Sequence, residues 1–131
     1  LGVVLLRLGE SDQARRAFEQ LLQIDPSAAG TWYNLALLEM NLRRTAAAAK
    51  AFARVVDLDP RNADGWRGLG AAVVASDPAR ATDAWRRAVE LDPRDPDTLY
   101  NLGMLLTQTG HADEGASFLR RSKEAAGVAP R

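Results

Sequence analysis

WYNLALLEMNLRRTAAAAKAFARVVDLDP, residues 32–60, contains two apolar series at helical spacing and ends on an Asp-Pro dipeptide. Trp32 and Leu35 share a helix face in the first half, and Ala48 and Phe52 share one in the second, because residues three or four apart are neighbours on an α-helix. A proline cannot continue a helix and disfavours helical geometry in the residue before it. The segment therefore predicts two helices followed by a turn.

The closing dipeptide recurs along the chain at a near-constant interval. Its prolines are Pro26, Pro60 and Pro93, which are separated by 34 and then 33 residues. Side chain size recurs with the prolines: six residues after them lie Trp32, Trp66 and Leu99, ten after lie Ala36, Gly70 and Gly103, eight before lie Phe18, Phe52 and Trp85, and two before lie Ile24, Leu58 and Leu91. Two helices approach closely only where a small residue faces a large one. The period therefore indicates an all-α array of packed helix pairs.

We divide the chain into a partial unit at 1–28 and units at 29–62, 63–95 and 96–131. The apolar spacing predicts helices near 1–8, 11–24, 29–42, 45–57, 63–75, 78–91, 96–109 and 112–126. The unit 63–95 is one residue short near its central turn. There Asp77 is expected to cap the next helix and Pro78 to occupy its first position.

The run Trp32-Tyr33-Asn34-Leu35-Ala36, followed by Ala48, Phe52 and Asp59-Pro60, resembles the tetratricopeptide repeat. The resemblance covers essentially the whole chain. It implies one tetratricopeptide repeat domain over 1–131, folded as a right-handed superhelical solenoid of antiparallel helix pairs. Because Leu1-Gly2 falls at the slots of Leu35-Ala36, in mid-helix and with no initiator Met, we expect a fragment of a longer protein.

Two slots depart from the family pattern. The position four residues beyond the repeated Leu, often Tyr in the family, holds Glu39, Val73 and Leu106. In the last unit Gly115 replaces the usual Ala, which is expected to weaken the helix by up to about 1 kcal/mol.

Composition excludes several kinds of site. The 17 basic and 17 acidic residues balance, so nothing requires a polyanionic partner, and no apolar stretch approaches the length of a membrane helix. Cysteine is absent and His111 is the single histidine, so no ligand set or nucleophile pair can be assembled around it. Gly65, Gly68 and Gly70 fall inside a predicted helix rather than in a phosphate loop. We expect no enzymatic activity, no cofactor and no metal.

The resemblance implies a concave groove lined by the first helix of each pair, in which family members bind an extended segment or helix of a partner protein. By offset, the peptide-binding residues would be Tyr33, Asn34, Leu37, Met40, Asn41, Arg67, Gly68, Ala71, Tyr100, Asn101, Met104 and Gln108. Tyr33, Arg67 and Tyr100 are the predicted anchors, with the small Gly68 and Ala71 leaving a shallow pocket between two aromatic walls. Arg67 is expected to pair a carboxylate of the guest. The chain is thus interpreted as a protein-interaction scaffold.

Two other functions remain open. The repeats could be an accessory or assembly domain of a larger enzyme or secretion-related protein, acting through their ends or convex face. Self-association is expected through end helices that lack a neighbour, at Val4, Leu5, Leu8, Phe118 and Leu119.

The second is RNA binding, which the arginine pairs suggest: Arg15-Arg16, Arg86-Arg87 and Arg120-Arg121. These pairs are interleaved with acidic residues and favour a solvated face, so no nucleic-acid partner is expected. The partner and the compartment stay undetermined.

Overall fold

The computed structural model of the protein describes the backbone of residues 2–127 and the side chains of residues 9–127. Over this range it contains seven α-helices and no strand, which confirms the predicted all-α class. The helices are α1 (Gly2–Ile24), α2 (Ala29–Asn41), α3 (Thr45–Leu58), α4 (Ala63–Val73), α5 (Pro78–Leu91), α6 (Pro96–Gln108) and α7 (Ala112–Ala125).

The contacts divide the chain into two compact units, Leu1–Pro60 and Arg61–Arg131. In unit 1, α2 packs against α3, and α1 contacts α2. In unit 2, α4 packs against α5 and α6 against α7, and α5 contacts α6. We call α2, α4 and α6 the first helices and α3, α5 and α7 the second helices of these three pairs.

Local sequence chemistry explains where most helices begin and end. The helices α1, α3 and α5 all stop at the residue before an Asp-Pro dipeptide. Asp77 caps α5 by accepting a hydrogen bond of 3.1 Å from the backbone N–H of Arg80, and Pro78 is the first helical residue. The predicted cap in the shortened turn is therefore confirmed, because Asp accepts the free N–H groups of a first turn and Pro lacks one.

The prediction of two helices at 1–8 and 11–24 is wrong, since α1 runs unbroken from Gly2 to Ile24. Gly9 occupies the slot of Arg43 and Gly110, whose positive φ angles of 60° and 89° end α2 and α6. Glycine adopts helical and left-handed geometry with similar ease, and no proline forces a break here. A Cβ added at Gly9 would meet nothing within 4 Å. Local sequence therefore allows either a turn or a continuous helix at Gly9.

The core of unit 1 lies between α2 and α3. It contains Leu35, Ala36, Ala48, Phe52, Val55 and Val56. The helix α1 adds Leu22, but Ile24 is 82% exposed, contrary to the core slot that the repeat predicts. The main contact of α1 within this unit is with α2, and Ile24 lies outside the part of α1 that is covered. Glu39 of α2 is buried and accepts a hydrogen bond of 2.7 Å from Nε of Arg15 of α1, so a charged pair joins these helices.

Small residues set the closest helix approaches in unit 2. Trp85 of α5 is 5% exposed, lies over Gly70 of α4 and donates from Nε1 to the carbonyl oxygen of Arg67 at 3.1 Å. On the other pair, a Cβ added to Gly115 of α7 would lie 2.6 Å from the carbonyl oxygen of Gly103. Gly115 is thus required for packing, and the interpretation that it only weakens α7 was incomplete.

Candidate interaction surface

The predicted residues of unit 1 share one face of α2. Tyr33, Leu37 and Met40 recur at helical spacing, with Asn34 and Asn41 beside them. Leu37, Asn34 and Asn41 are exposed, whereas Tyr33 and Met40 are half-buried. The ring of Tyr33 meets that of Phe52 edge to face, with centroids 5.9 Å apart, so α3 holds one edge of the tyrosine. This face offers an aliphatic side chain and two amides to a partner.

The predicted residues of unit 2 lie on α4 and α6. Ala71, Tyr100, Asn101 and Gln108 are exposed, whereas Arg67, Gly68 and Met104 are half-buried. Tyr100 is 52% exposed, a large fraction for a ring of its size. We call this surface, together with Asp64, Asp95 and Asp97, the α4–α6 face. The pocket predicted between Tyr33 and Tyr100 stays a prediction, because these residues belong to different units.

Arg67 lies at the predicted place but is engaged within unit 2. Its guanidinium forms ion pairs with Asp64, one turn earlier on α4, and with Asp95, the N-cap residue of α6. Asp95 also accepts a hydrogen bond from Oγ1 of Thr98 at 2.6 Å and one from the backbone N–H of Asp97 at 3.2 Å. Sequence spacing did not show this bridge, because Arg67 and Asp95 are 28 residues apart.

These contacts also set the ionisation of Asp95. Burial alone would raise the pKa of Asp95, but the hydrogen bonds from Thr98 and Arg67, the charge of Arg67 and the N–H of Asp97 together lower this pKa below its ordinary value of 3.8. A carboxylate with a pKa lower in the folded than in the unfolded state stabilises the fold above the unfolded value, and that contribution is lost as pH falls through the folded pKa.

We expect the variant Asp95→Asn to have a free energy of unfolding about 1 to 2 kcal/mol lower than that of the wild type at pH 7, because it loses a charged hydrogen-bond acceptor. It should therefore unfold at a lower urea concentration. The difference should shrink as the pH falls below about 4, because Asp95 is protonated first in the unfolded chain and only at lower pH in the folded protein. Urea titrations at both pH values, followed by circular dichroism, measure the two differences. An equal difference at pH 7 and pH 3 would contradict the assigned role of the Asp95 charge.

The three glycines and the histidine that the sequence analysis singled out lie in or beside helices. Gly65, Gly68 and Gly70 lie within α4. His111 is exposed at the N-cap position of α7, where its side chain makes no capping hydrogen bond. In the part of the chain that the structure describes, no group of three or more His, Cys, Asp or Glu side chains could hold a metal ion. None of the helices there is long and apolar enough to cross a membrane.

The two arginines of the pair Arg86-Arg87, on α5, both form ion pairs. Arg86 binds Glu114 through two hydrogen bonds, of 2.7 and 2.8 Å. Arg87 binds Glu90 at 2.9 Å and lies 5.6 Å from the ring centroid of Trp66. Both guanidinium groups therefore pair with carboxylates, and that of Arg87 also lies over an aromatic ring.

Two clefts on unit 2 were missed by the sequence analysis. One of about 500 Å³ lies beside α5 and the turn into α7, lined by Pro78, Thr82, Asp83, Arg86, Leu106 and His111 among others. A second, of about 360 Å³, lies between α5 and α7, lined by Val89, Pro93, Phe118 and Arg121 among others. Their lining residues come from helices distant in sequence, so no local pattern indicates them.

The residues predicted to mediate self-association are only partly described. Val4, Leu5 and Leu8 lie outside the described side chains. Phe118 and Leu119 are half-buried, and the guanidinium carbon of Arg121 lies 5.1 Å from the ring centroid of Phe118. Within residues 9–24 of α1, the exposed large apolar side chains are Leu21, at 51%, and Ile24.

Comparison with known proteins gives the same family over nearly the whole chain. The model of the tetratricopeptide repeat family matches residues 1–63, 33–76 and 70–130. No curated protein matches the chain. Among solved structures, a crystal structure of MamA is 25% identical, with a TM-score of 0.87 over 97% of this chain and 75% of that one.

Two further structures have a similar fold. YrrB, whose structure is described as that of a TPR protein with an unusual peptide-binding site, is 26% identical, with a TM-score of 0.83 over 95% of this chain and 64% of that one. A structure of MamA from residue 41 to its end, from Desulfovibrio magneticus RS-1, is 21% identical, with a TM-score of 0.82 over 99% of this chain and 74% of that one. At this lower identity, the agreement concerns the fold alone.

Proposed function

The chain belongs to the tetratricopeptide repeat family, and on that premise we propose that it is a protein-interaction module whose first helices bind a peptide or protein segment. The observation that carries the proposal is the exposure of large apolar side chains on these helices. Tyr100 on α6 is 52% exposed and Leu37 on α2 is 42% exposed, although leucines elsewhere on the same helices are buried. Exposed aromatic and aliphatic side chains of this kind are the residues that anchor partners.

The surroundings of these two residues support a binding role. Asn34 and Asn41 flank Leu37 on α2, and Asn101 follows Tyr100 on α6, so exposed amides accompany each apolar group. An amide both donates and accepts hydrogen bonds and can therefore pair with the backbone of an extended segment. The description of YrrB as a peptide-binding TPR protein is consistent with this use of the fold. A non-catalytic role fits the family and the polar groups present.

Truncation of either anchor tests the proposal. We expect Tyr100→Ala and Leu37→Ala, made separately, to weaken binding of peptides selected on the wild-type chain by at least about tenfold when the peptide contacts that residue. About half of each residue is exposed, and neither side chain is in the core, so helicity should change little and urea stability only modestly. The measurement is a selection from a random peptide library displayed on phage, followed by titration of the enriched peptides by fluorescence anisotropy.

The matched control is the pair Leu21→Ala and Ile24→Ala. These substitutions remove exposed apolar side chains of similar size from α1, outside the three first helices. Selected peptides should bind both control variants as tightly as the wild type. Equal loss in control and test variants, or no loss in either test variant, would contradict binding by the first helices.

The alternative function is assembly or docking through the second helices or an end. Leu21 and Ile24 of α1 and the cleft of about 360 Å³ between α5 and α7 favour it, since they offer apolar surface away from the first helices. If the library yields peptides that are lost with Leu21→Ala or Ile24→Ala, or no peptides at all, this alternative replaces the first.

A further inference from the structure

We propose that the α4–α6 face takes its partner segment through a Lys or Arg side chain, which the Asp97 carboxylate holds beside the exposed ring of Tyr100. The inference rests on the proposed function, because it names the chemistry of the segment that the first helices bind. It differs from the expectation drawn from sequence, in which Arg67 pairs with a carboxylate of the guest.

The charges on the α4–α6 face favour a positively charged side chain on the bound segment. Three carboxylates, Asp64, Asp95 and Asp97, lie there with one guanidinium, that of Arg67, and neither α4 nor α6 contains a lysine. Arg67 already pairs with Asp64 and Asp95. An incoming carboxylate would have to displace one of these partners and approach Asp97, whereas an incoming cation meets a surplus of negative charge.

Asp97 is the carboxylate of the face that remains available. It is exposed at the second position of α6, and within the described part of the chain it has no ion-pair partner. The hydroxyl of Thr98, its neighbour, is committed to Asp95. A carboxylate in a first helical turn also stabilises the helix, so Asp97 by itself does not indicate a ligand.

The ring of Tyr100 supplies the second observation. It lies one turn after Asp97 on the same side of α6, since residues three apart on a helix are neighbours. Elsewhere in unit 2 aromatic faces carry a guanidinium, with Arg87 at 5.6 Å from the ring centroid of Trp66 and Arg121 at 5.1 Å from that of Phe118. Among the described residues, no cation covers Tyr100. A Lys or Arg side chain can form an ion pair with a carboxylate and a cation–π contact with an aromatic ring at the same time, and Asp97 and Tyr100 offer both.

The test compares peptides selected from a random phage-displayed library on the full chain. We expect enriched peptides that bind the α4–α6 face to carry Lys or Arg at a fixed position, and Asp97→Asn to weaken their binding by about threefold to tenfold. Raising the salt concentration should weaken wild-type binding more than binding to Asp97→Asn. Tyr100→Phe should retain affinity, whereas Tyr100→Leu should lose it, because only an aromatic face attracts the cation.

The control variant is Asp113→Asn. Asp113 is an exposed carboxylate at the second position of α7, so its removal has the same effect on a helix terminus without touching the α4–α6 face. Peptides lost with Tyr100→Ala but unaffected by Asp97→Asn, or enriched in Asp and Glu, overturn the inference and leave the proposed function standing. Absence of any enriched peptide overturns both.

Discussion

Replacing Trp85 with Ala is expected to lower the free energy of unfolding by about 3 to 5 kcal/mol, the cost of removing a large buried aromatic side chain. The indole is 5% exposed and fills the space above Gly70, and its Nε1 satisfies the carbonyl oxygen of Arg67 at 3.1 Å. Loss of the ring leaves a cavity between α4 and α5 and frees a carbonyl group. Urea unfolding followed by circular dichroism measures the effect.

Gly70 provides the matching test of this contact. A Cβ added at Gly70 would lie within 2.7 Å of Cε2 of Trp85, so Gly70→Ala should destabilise the wild type by about 1 to 3 kcal/mol through overpacking. In the Trp85→Ala background the same substitution should cost less, because the clashing ring is absent, and a double-mutant cycle isolates this coupling. Additive effects of the two substitutions would show that Trp85 does not pack against Gly70.

Gly115→Ala is expected to destabilise the protein by about 1 to 2 kcal/mol, although helix propensity alone predicts stabilisation of up to about 1 kcal/mol. The added Cβ would lie 2.6 Å from the carbonyl oxygen of Gly103 and close to Oγ1 of Thr107. A backbone carbonyl within α6 cannot rotate away as a flexible side chain can, so α6 and α7 would have to separate. Thermal and urea unfolding both report the sign of the change.

The control for Gly115 is Gly30→Ala. Gly30 also lies in the first turn of its helix, α2, but a Cβ there would meet nothing within 4 Å. This variant should be as stable as the wild type or more stable, by up to about 1 kcal/mol. If both substitutions stabilise the protein, propensity rather than packing governs Gly115, and the close approach of α6 and α7 is not required.

The helices and their pairing could be predicted from sequence because the signals are local and repeated. Three Asp-Pro dipeptides end α1, α3 and α5, and the repeated small and large residues indicated the packed pairs. The candidate surface was predicted less completely. The exposure of Leu37 and Tyr100 follows from their helix faces, but the commitment of Arg67 to Asp95 depends on how close the start of α6 comes to α4.

The amino-acid sequence alone therefore determined the all-α class, the repeat period and nearly all helix ends, since proline geometry and capping act over a few residues. Only tertiary structure decided which charges are free, which glycines are indispensable and whether α1 is broken. Arg67 is not free to bind a partner's carboxylate because it pairs with Asp95. Gly115→Ala is expected to destabilise rather than stabilise the protein because the added Cβ would meet the carbonyl oxygen of Gly103. Those outcomes depend on distances between atoms far apart in sequence, which packing of the helices sets and local propensity does not.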